Sequence, residues 1–126
     1  MSVIEKVKEK LKEYPEARFQ IDQDQISILP TLETGFTATI MYGGNVFFNG
    51  WHQQFVEEVD ALNCFFKGLS TDYRLKECRR DDKAYQWTLE YREDGRWEKH
   101  STSFNLNYFF VWKKKSVHYL QNDLIK

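Results

Sequence analysis

The sequence predicts a single α+β domain spanning residues 1–126: a curved antiparallel sheet of six to eight strands, one long helix packed across one face, and a second helix at the N-terminus. Three observations carry that expectation. Apolar residues recur with helical spacing in two places, near the N-terminus and again over residues 49–70. Several short segments alternate apolar and polar residues at period two. Between them lie tight polar or glycine-rich turns of the kind that close hairpins.

Ser2 caps the first helix, with Glu5 three residues later completing a capping box. Ile4, Val7 and Leu11 form its thin apolar stripe, and Pro15 ends it. Glu5–Lys8 and Glu9–Lys12 pairs mark its solvated faces. Ala17–Ile21 and Gln25–Leu29 follow as strands around an Asp22-Gln23-Asp24 turn, and Pro30 to Gly35 is a loop. Phe36–Tyr42 alternates, with Phe36, Ala38, Ile40 and Tyr42 on one side. Gly43-Gly44-Asn45 turns the chain into Val46–Phe48.

Asn49 then caps the long helix, and Gly68 lies near its end. At about 100° per residue, Trp51, Phe55, Val59, Leu62, Phe65, Phe66 and Leu69 share one stripe. Glu58 projects into that stripe, where a carboxylate needs a partner or shifts its pKa. Cys64 falls on the helix's back.

In the second half, charge selects the hairpin registers. Tyr85, Trp87, Leu89 and Tyr91 alternate with polar residues, and Asp94-Gly95 follows. A two-residue loop there sets Glu90 against Lys99 and Arg92 against Trp97, whereas a three-residue loop sets like charges together. For the preceding hairpin, a three-residue loop at Asp81-Asp82-Lys83 sets Tyr73 opposite Tyr91, Arg74 opposite Glu90 and Leu75 opposite Leu89. The inner face then carries four rows: Tyr73, Tyr91, Glu98; Leu75, Leu89, His100; Glu77, Trp87, Thr102; and Arg79, Tyr85, Phe104. The outer face carries Arg74, Glu90 and Lys99. Tyr108–Trp112 is a continuous apolar run suited to a doubly covered strand or an oligomer contact. Lys113-Lys114-Lys115 makes a turn before a last strand, Val117–Leu120, in which His118 points to solvent. The order suggests a doubled α-β-β-β unit, but no residue repeat supports one.

Aromatic residues make up 17% of the chain, enough large apolar area to exclude disorder as a whole. The net charge of −1 argues against general polyanion binding. It is unevenly divided: residues 1–72 carry 6 Lys/Arg against 11 Asp/Glu, a net of −5, and residues 73–126 carry 12 against 8, a net of +4. Cys64 and Cys78 read as free thiols, the N-terminus lacks the apolar core of a signal peptide, and no apolar run approaches the roughly 20 residues that span a bilayer. The expected location is the cytoplasm, with no membrane partner.

The candidate catalytic residues are Glu58, Glu98 and His100. Glu98 and His100 project the same way from one strand, and Glu58 approaches them if the long helix covers that sheet. A histidine among carboxylates and aromatics has a tunable pKa, suited to proton transfer. Trp51, Glu77, Trp87 and Tyr91 are the candidate ligand-binding residues of an aromatic groove between helix 49–70 and the sheet. No metal or cofactor is expected, since His52, His100 and His118 lack ligand spacing and the glycines form no phosphate-binding motif. The expected function is therefore a non-catalytic module for a small molecule or protein partner, with homodimer contact through Phe109, Phe110 and Trp112. An acid–base enzyme built on His100 is the alternative. Single-stranded nucleic acid, met by the aromatics and lysines of residues 108–119, ranks third.

Overall fold

The computed structural model describes residues 2–104 and 114–125 as an α+β fold of two helices and two antiparallel sheets. Helix α1 (Val3–Leu11) starts at Ser2, whose Oγ accepts from the Glu5 backbone N–H at 3.2 Å. It buries Val3, Val7 and Leu11. Five strands then make a meander: β1 (Arg18–Asp22), β2 (Gln25–Leu29), β3 (Ala38–Met41), β4 (Asn45–Phe48) and β5 (Trp51–Gln54), paired in that order. Helix α2 (Glu58–Gly68) leads into the second sheet, formed by β6 (Tyr73–Arg80), β7 (Lys83–Glu93), β8 (Arg96–Phe104) and β9 (Lys115–Leu120). Its strand order is β8-β7-β6-β9. Among the described residues no helix is long and apolar enough to cross a membrane.

Period-two alternation builds the core. Ile26, Ile28, Ala38, Ile40, Val46, Phe48 and Trp51 are essentially inaccessible and all face the helices. Helix α1 packs on β2, β3 and α2, while α2 packs on β3, β4 and β6. Phe48 stacks on Trp51 with ring centroids 5.1 Å apart, and Phe36 closes on Phe48 at 5.2 Å. Buried Asn122 joins this core to the chain's end: its Nδ2 donates to the Phe36 and Gly68 carbonyls, and its Oδ1 accepts from the Phe36 N–H.

Two sheets of five and four strands replace the expected single sheet. The difference begins at Asn49-Gly50. This pair is a two-residue hairpin loop, with Phe48 opposite Trp51 and Asn49 at φ 51°, and not the start of a helix. Residues 51–54 therefore extend as β5, and α2 begins only at Glu58. The shortened helix buries Ala61, Cys64, Phe65 and Gly68, so Cys64 lies on the core side and not on the back. Val59, expected in the stripe, is exposed. Glu58, expected there too, is solvent-exposed and ion-paired with Lys6 at 2.8 Å. Tyr42, placed inward by alternation, lies past the end of β3 and is exposed.

The β6–β7 register agrees with expectation over Tyr73↔Tyr91, Arg74↔Glu90, Leu75↔Leu89 and Glu77↔Trp87. The loop is nevertheless two residues, Asp81-Asp82, because a bulge beside Cys78 and Arg79 absorbs Tyr85. The β7–β8 register also agrees, from Glu93↔Arg96 to Glu90↔Lys99. A second bulge then makes His100 the extra residue, so Leu89 faces Ser101 and Trp87 faces Ser103. Thr102 pairs with Thr88, the two hydroxyls 2.9 Å apart, and Phe104 pairs with Gln86. The rows containing His100, Thr102 and Phe104 are thus corrected by one residue. The outer charge row stands as Arg74–Glu90, 2.6 Å apart, with Lys99 beyond.

In β9, His118 lies opposite Glu77 and is half-buried, while Val117 and Tyr119 are exposed, the reverse of the expected orientation. The inward side of β9 is fixed by Leu120, which pairs with Leu75. The run Tyr108–Trp112, including Phe109, Phe110 and Trp112, lies outside the described residues.

Gly68 closes α2 where the Phe48 ring abuts the position a Cβ would occupy. Glycine to alanine in a helix ordinarily stabilises by about 1 kcal/mol. Here Gly68→Ala should instead destabilise by about 1–3 kcal/mol, because the rigid ring must move. Urea unfolding of the variant checks the sign.

Candidate functional site

The two sheets meet where β5 lies against β7 and β8. A buried carboxylate sits at this seam, and it is Glu77, not Glu58. Glu77 is 6% exposed. Its Oε2 accepts from Trp87 Nε1 at 2.9 Å and from Asn49 Nδ2 at 3.3 Å, and its Oε1 accepts from Arg79 Nε at 2.7 Å. Asn49 in turn takes the Thr37 N–H on its Oδ1. Gly50 lies against the Trp87 indole so closely that any side chain there would overlap it. Two of the candidate ligand-binding residues, Glu77 and Trp87, are thus partners of each other in the fold.

The bulge at His100 completes the seam. It turns Ser101 and Ser103 toward β5. The Ser101 hydroxyl accepts from Trp51 Nε1 at 2.9 Å. Ser103 Oγ accepts from the His52 N–H at 3.2 Å and approaches the His52 carbonyl at 3.4 Å. The Ser103 hydroxyl therefore satisfies the His52 backbone on the open edge of β5, where a further strand would otherwise be needed, and Ser101 satisfies the buried indole beside it. Trp51, a third candidate ligand-binding residue, is fully buried by this arrangement.

Beside the seam a cleft of about 510 Å³ opens, lined by Lys67, Asp72, Tyr73, Tyr91, Arg92 and His100. Lys67 comes from the last turn of α2, Tyr73 from the start of β6, Tyr91 and Arg92 from β7, and His100 from β8. The turn that holds Asp72 is rigidly bonded. Ser70 Oγ donates to the Lys67 carbonyl at 2.7 Å and accepts from the Asp72 N–H at 3.1 Å, while the Arg92 N–H donates to the Asp72 carbonyl at 2.9 Å.

His100 is held by two rings and one hydroxyl. Its ring lies edge-on to Trp51 at 5.8 Å and near Tyr73 at 6.3 Å, and its Nδ1 is 2.9 Å from Ser101 Oγ. An indole N–H can only donate, so Ser101 Oγ accepts from Trp51 and keeps both a hydrogen and a lone pair with which to meet His100 Nδ1 in either imidazole tautomer. Partial burial against the rings holds the His100 pKa below its ordinary value of 6.5. Tyr73 is pushed up to about 12, first by burial and then by Cys64, Asp72 and Tyr91 nearby. Burial likewise pushes the Cys64 thiol up to about 12, with Lys67 acting against it, which removes Cys64 as a nucleophile at neutral pH.

Of the seven residues singled out from the sequence, His100 and Tyr91 line the cleft, and Trp51 backs it. Glu98 lies opposite Tyr91 but is exposed and makes no hydrogen bond to His100. Glu58 meets Lys6 on α1 and is not brought to His100. Lys67, Asp72, Tyr73 and Arg92 were not singled out, although the predicted row Tyr73, Tyr91, Glu98 contained the signal for the cleft floor. A groove of about 540 Å³ also lies between α1 and Phe66, but its charges pair with one another, as in Lys10–Glu13 and Lys12–Glu9. Among the described residues no three His, Cys, Asp or Glu side chains gather as a metal site requires.

Glu77→Ala should cost about 2–4 kcal/mol by leaving three donors without their acceptor, whereas Glu77→Gln, which keeps an acceptor oxygen, should cost less. Urea unfolding followed by tryptophan fluorescence checks the order. A second expectation concerns pH. Because the folded pKa of His100 lies below the unfolded one, the unfolded chain takes up its proton first as the pH drops. Stability should fall as pH decreases through 6.5 and level off once folded His100 is protonated. His100→Gln should flatten that part of the curve, and an NMR titration should place the His100 midpoint below 6.5. Comparison of the chain with protein-family models, with curated proteins and with solved structures finds no match, so function is read from the geometry alone.

Proposed function

We propose that this chain is a non-catalytic binding module whose ligand, a small planar anion, occupies the cleft between the end of α2 and the second sheet. One observation carries the reading. Two tyrosines and an imidazole border a space of about 510 Å³, with Lys67 and Arg92 present against the single carboxylate of Asp72. The volume falls within the roughly 300–1,000 Å³ usual for small-molecule pockets. Aromatic edges and faces suit a flat ligand, and the excess of cations suits a negative one.

The acid–base alternative is weaker on the same geometry. His100 Nδ1 is hydrogen-bonded to Ser101, and neither Glu98 nor Glu58 is bonded to it. A general base oriented by a carboxylate is the arrangement that reading needs. Two buried free thiols fit a reducing compartment, which supports a cytoplasmic location for the module.

Titration with benzoate and with inorganic phosphate, followed by amide NMR, tests the proposal. Saturable shifts should centre on Lys67, Asp72, Tyr73, Tyr91, Arg92 and His100. Benzoate should bind roughly three- to tenfold more weakly to Tyr91→Ala. Binding should tighten as the pH is lowered below 6.5 and His100 gains positive charge. Shifts mapping elsewhere, or no saturation by either probe, would reject the cleft as an anion site.

A further inference from the structure

The opposite edge of the first sheet ends differently from β5. Strand β1 is outermost and, among the described residues, pairs with β2 alone. All five of its residues are exposed. Phe19 and Ile21 are 41% and 45% exposed, yet they stand opposite Ile28 and Ile26, which are buried. The core face of the sheet therefore runs out beyond α1 and stops at two uncovered apolar side chains. Beside Phe19 an apolar groove of about 290 Å³ continues past Leu11, Tyr14, Pro15 and Ala17. Proteins that must prevent pairing at such an edge place a lysine, a proline or a bulge in the strand. Between the charged ends of β1, Arg18 and Asp22, the segment Phe19-Gln20-Ile21 has none of these.

The backbone fixes which registers an added strand can take. The two-residue loop Gln23-Asp24 makes Asp22 and Gln25 the closing pair of the hairpin. A closing pair of this kind exchanges hydrogen bonds, and alternation then turns the N–H and C=O of Gln20 toward β2 and those of Phe19 and Ile21 outward. We propose that β1 pairs antiparallel with β1 of a second copy, about a two-fold axis through Gln20, joining two five-stranded sheets into one of ten strands.

In that register Phe19 stands opposite Ile21 of the second copy, and both residues have their backbone groups turned outward as the ladder needs. Arg18 stands opposite Asp22 of the second copy, and the symmetry repeats each contact. Moving the axis to Phe19 sets Arg18 against Gln20 and Asp22 against Glu16, and moving it to Ile21 sets Asp22 against Gln20 and leaves Arg18 opposite Asp24, which lies in the turn beyond the strand. The segment Arg18-Phe19-Gln20-Ile21-Asp22 is thus self-complementary, which selects a second copy over an unrelated peptide. One Arg18 nitrogen, Nη2, already donates to the Pro30 carbonyl at 3.0 Å, and the other guanidinium N–H groups remain for the carboxylate. The contact is independent of the cleft.

Five paired residues cover a modest area, so the dimer should be reversible, with Kd in the micromolar range. Sedimentation equilibrium of the full chain should show a monomer–dimer equilibrium. Phe19→Pro removes an outward N–H that no strand among the described residues uses, and it should give a monomer. Asp22→Arg sets arginine against Arg18 twice and should weaken the dimer roughly tenfold or more. Adding Arg18→Asp to it should restore association, since the swapped pair is again complementary. Circular dichroism confirms that each variant folds, and the charge swap decides the matter if Phe19→Pro does not. A wild type that stays monomeric at about 1 mM, a folded Phe19→Pro variant that still dimerises, or a charge-swapped double variant no tighter than Asp22→Arg would each overturn the proposal.

Discussion

The seam between the two sheets governs this structure. One edge strand, β5, ends the first sheet against the faces of β7 and β8, and each of its polar backbone groups there must find a partner other than a neighbouring strand. Ser103 supplies that partner for the His52 backbone, while beside it Ser101 accepts from the Trp51 indole and Glu77 from the Asn49 side-chain amide. The same Glu77 holds Trp87, on which Gly50 rests. A fully buried tryptophan, a buried carboxylate and a side-chain-free turn are therefore parts of one contact.

That contact depends on a single extra residue in β8. Without the bulge at His100, Ser101 and Ser103 would face away from β5 and Thr102 would face toward it. The bulge also sets His100 on the rim of the cleft, with Trp51 behind it and Tyr73 beside it. Structure and candidate site thus share one irregularity, as is common where a sheet must re-aim a side chain. On the other wall, α2 and the turn after it are held by Ser70 and by the buried amide of Asn122, so Lys67 and Asp72 sit on fixed backbone. The walls of the cleft are thus held by the hydrogen bonds of the fold itself.

Charge is handled differently on the two faces of the second sheet. On the inner face one carboxylate is buried with three donors. On the outer face the Arg74 guanidinium bonds Glu90 and lies over the rings of Trp97 and Tyr119, at 4.4 and 4.3 Å. Aromatic residues that composition alone would assign to a groove are thus partly spent as cover for cations at the surface. The contrast between Glu77 and Glu58 is of the same kind. The half-exposed Lys6–Glu58 pair contributes little, because solvent screens it.

The sequence by itself determined what local chemistry controls: the capped first helix, a hairpin turn within Asp22-Gln23-Asp24, which the structure tightens to the two residues Gln23-Asp24, the hairpin at Asp94-Gly95, and the register that sets Tyr73 against Tyr91 and Arg74 against Glu90. Those choices follow from turn preference, alternation and opposite-charge pairing, all of which act between near neighbours. The Asn-Gly pair at 49–50 was equally legible as a hairpin signal, but the helical spacing of the aromatics around it masked the turn. What only tertiary structure decided was where two sheets would meet. Residues far apart in the chain, such as Trp51 with Ser101 and Asn49 with Glu77, had to satisfy each other's polar atoms out of water, and two strands took up bulges to let them. A one-residue shift of that kind leaves no mark in periodicity, and it is what set Ser101 and Ser103 against β5 and His100 at the rim of the cleft.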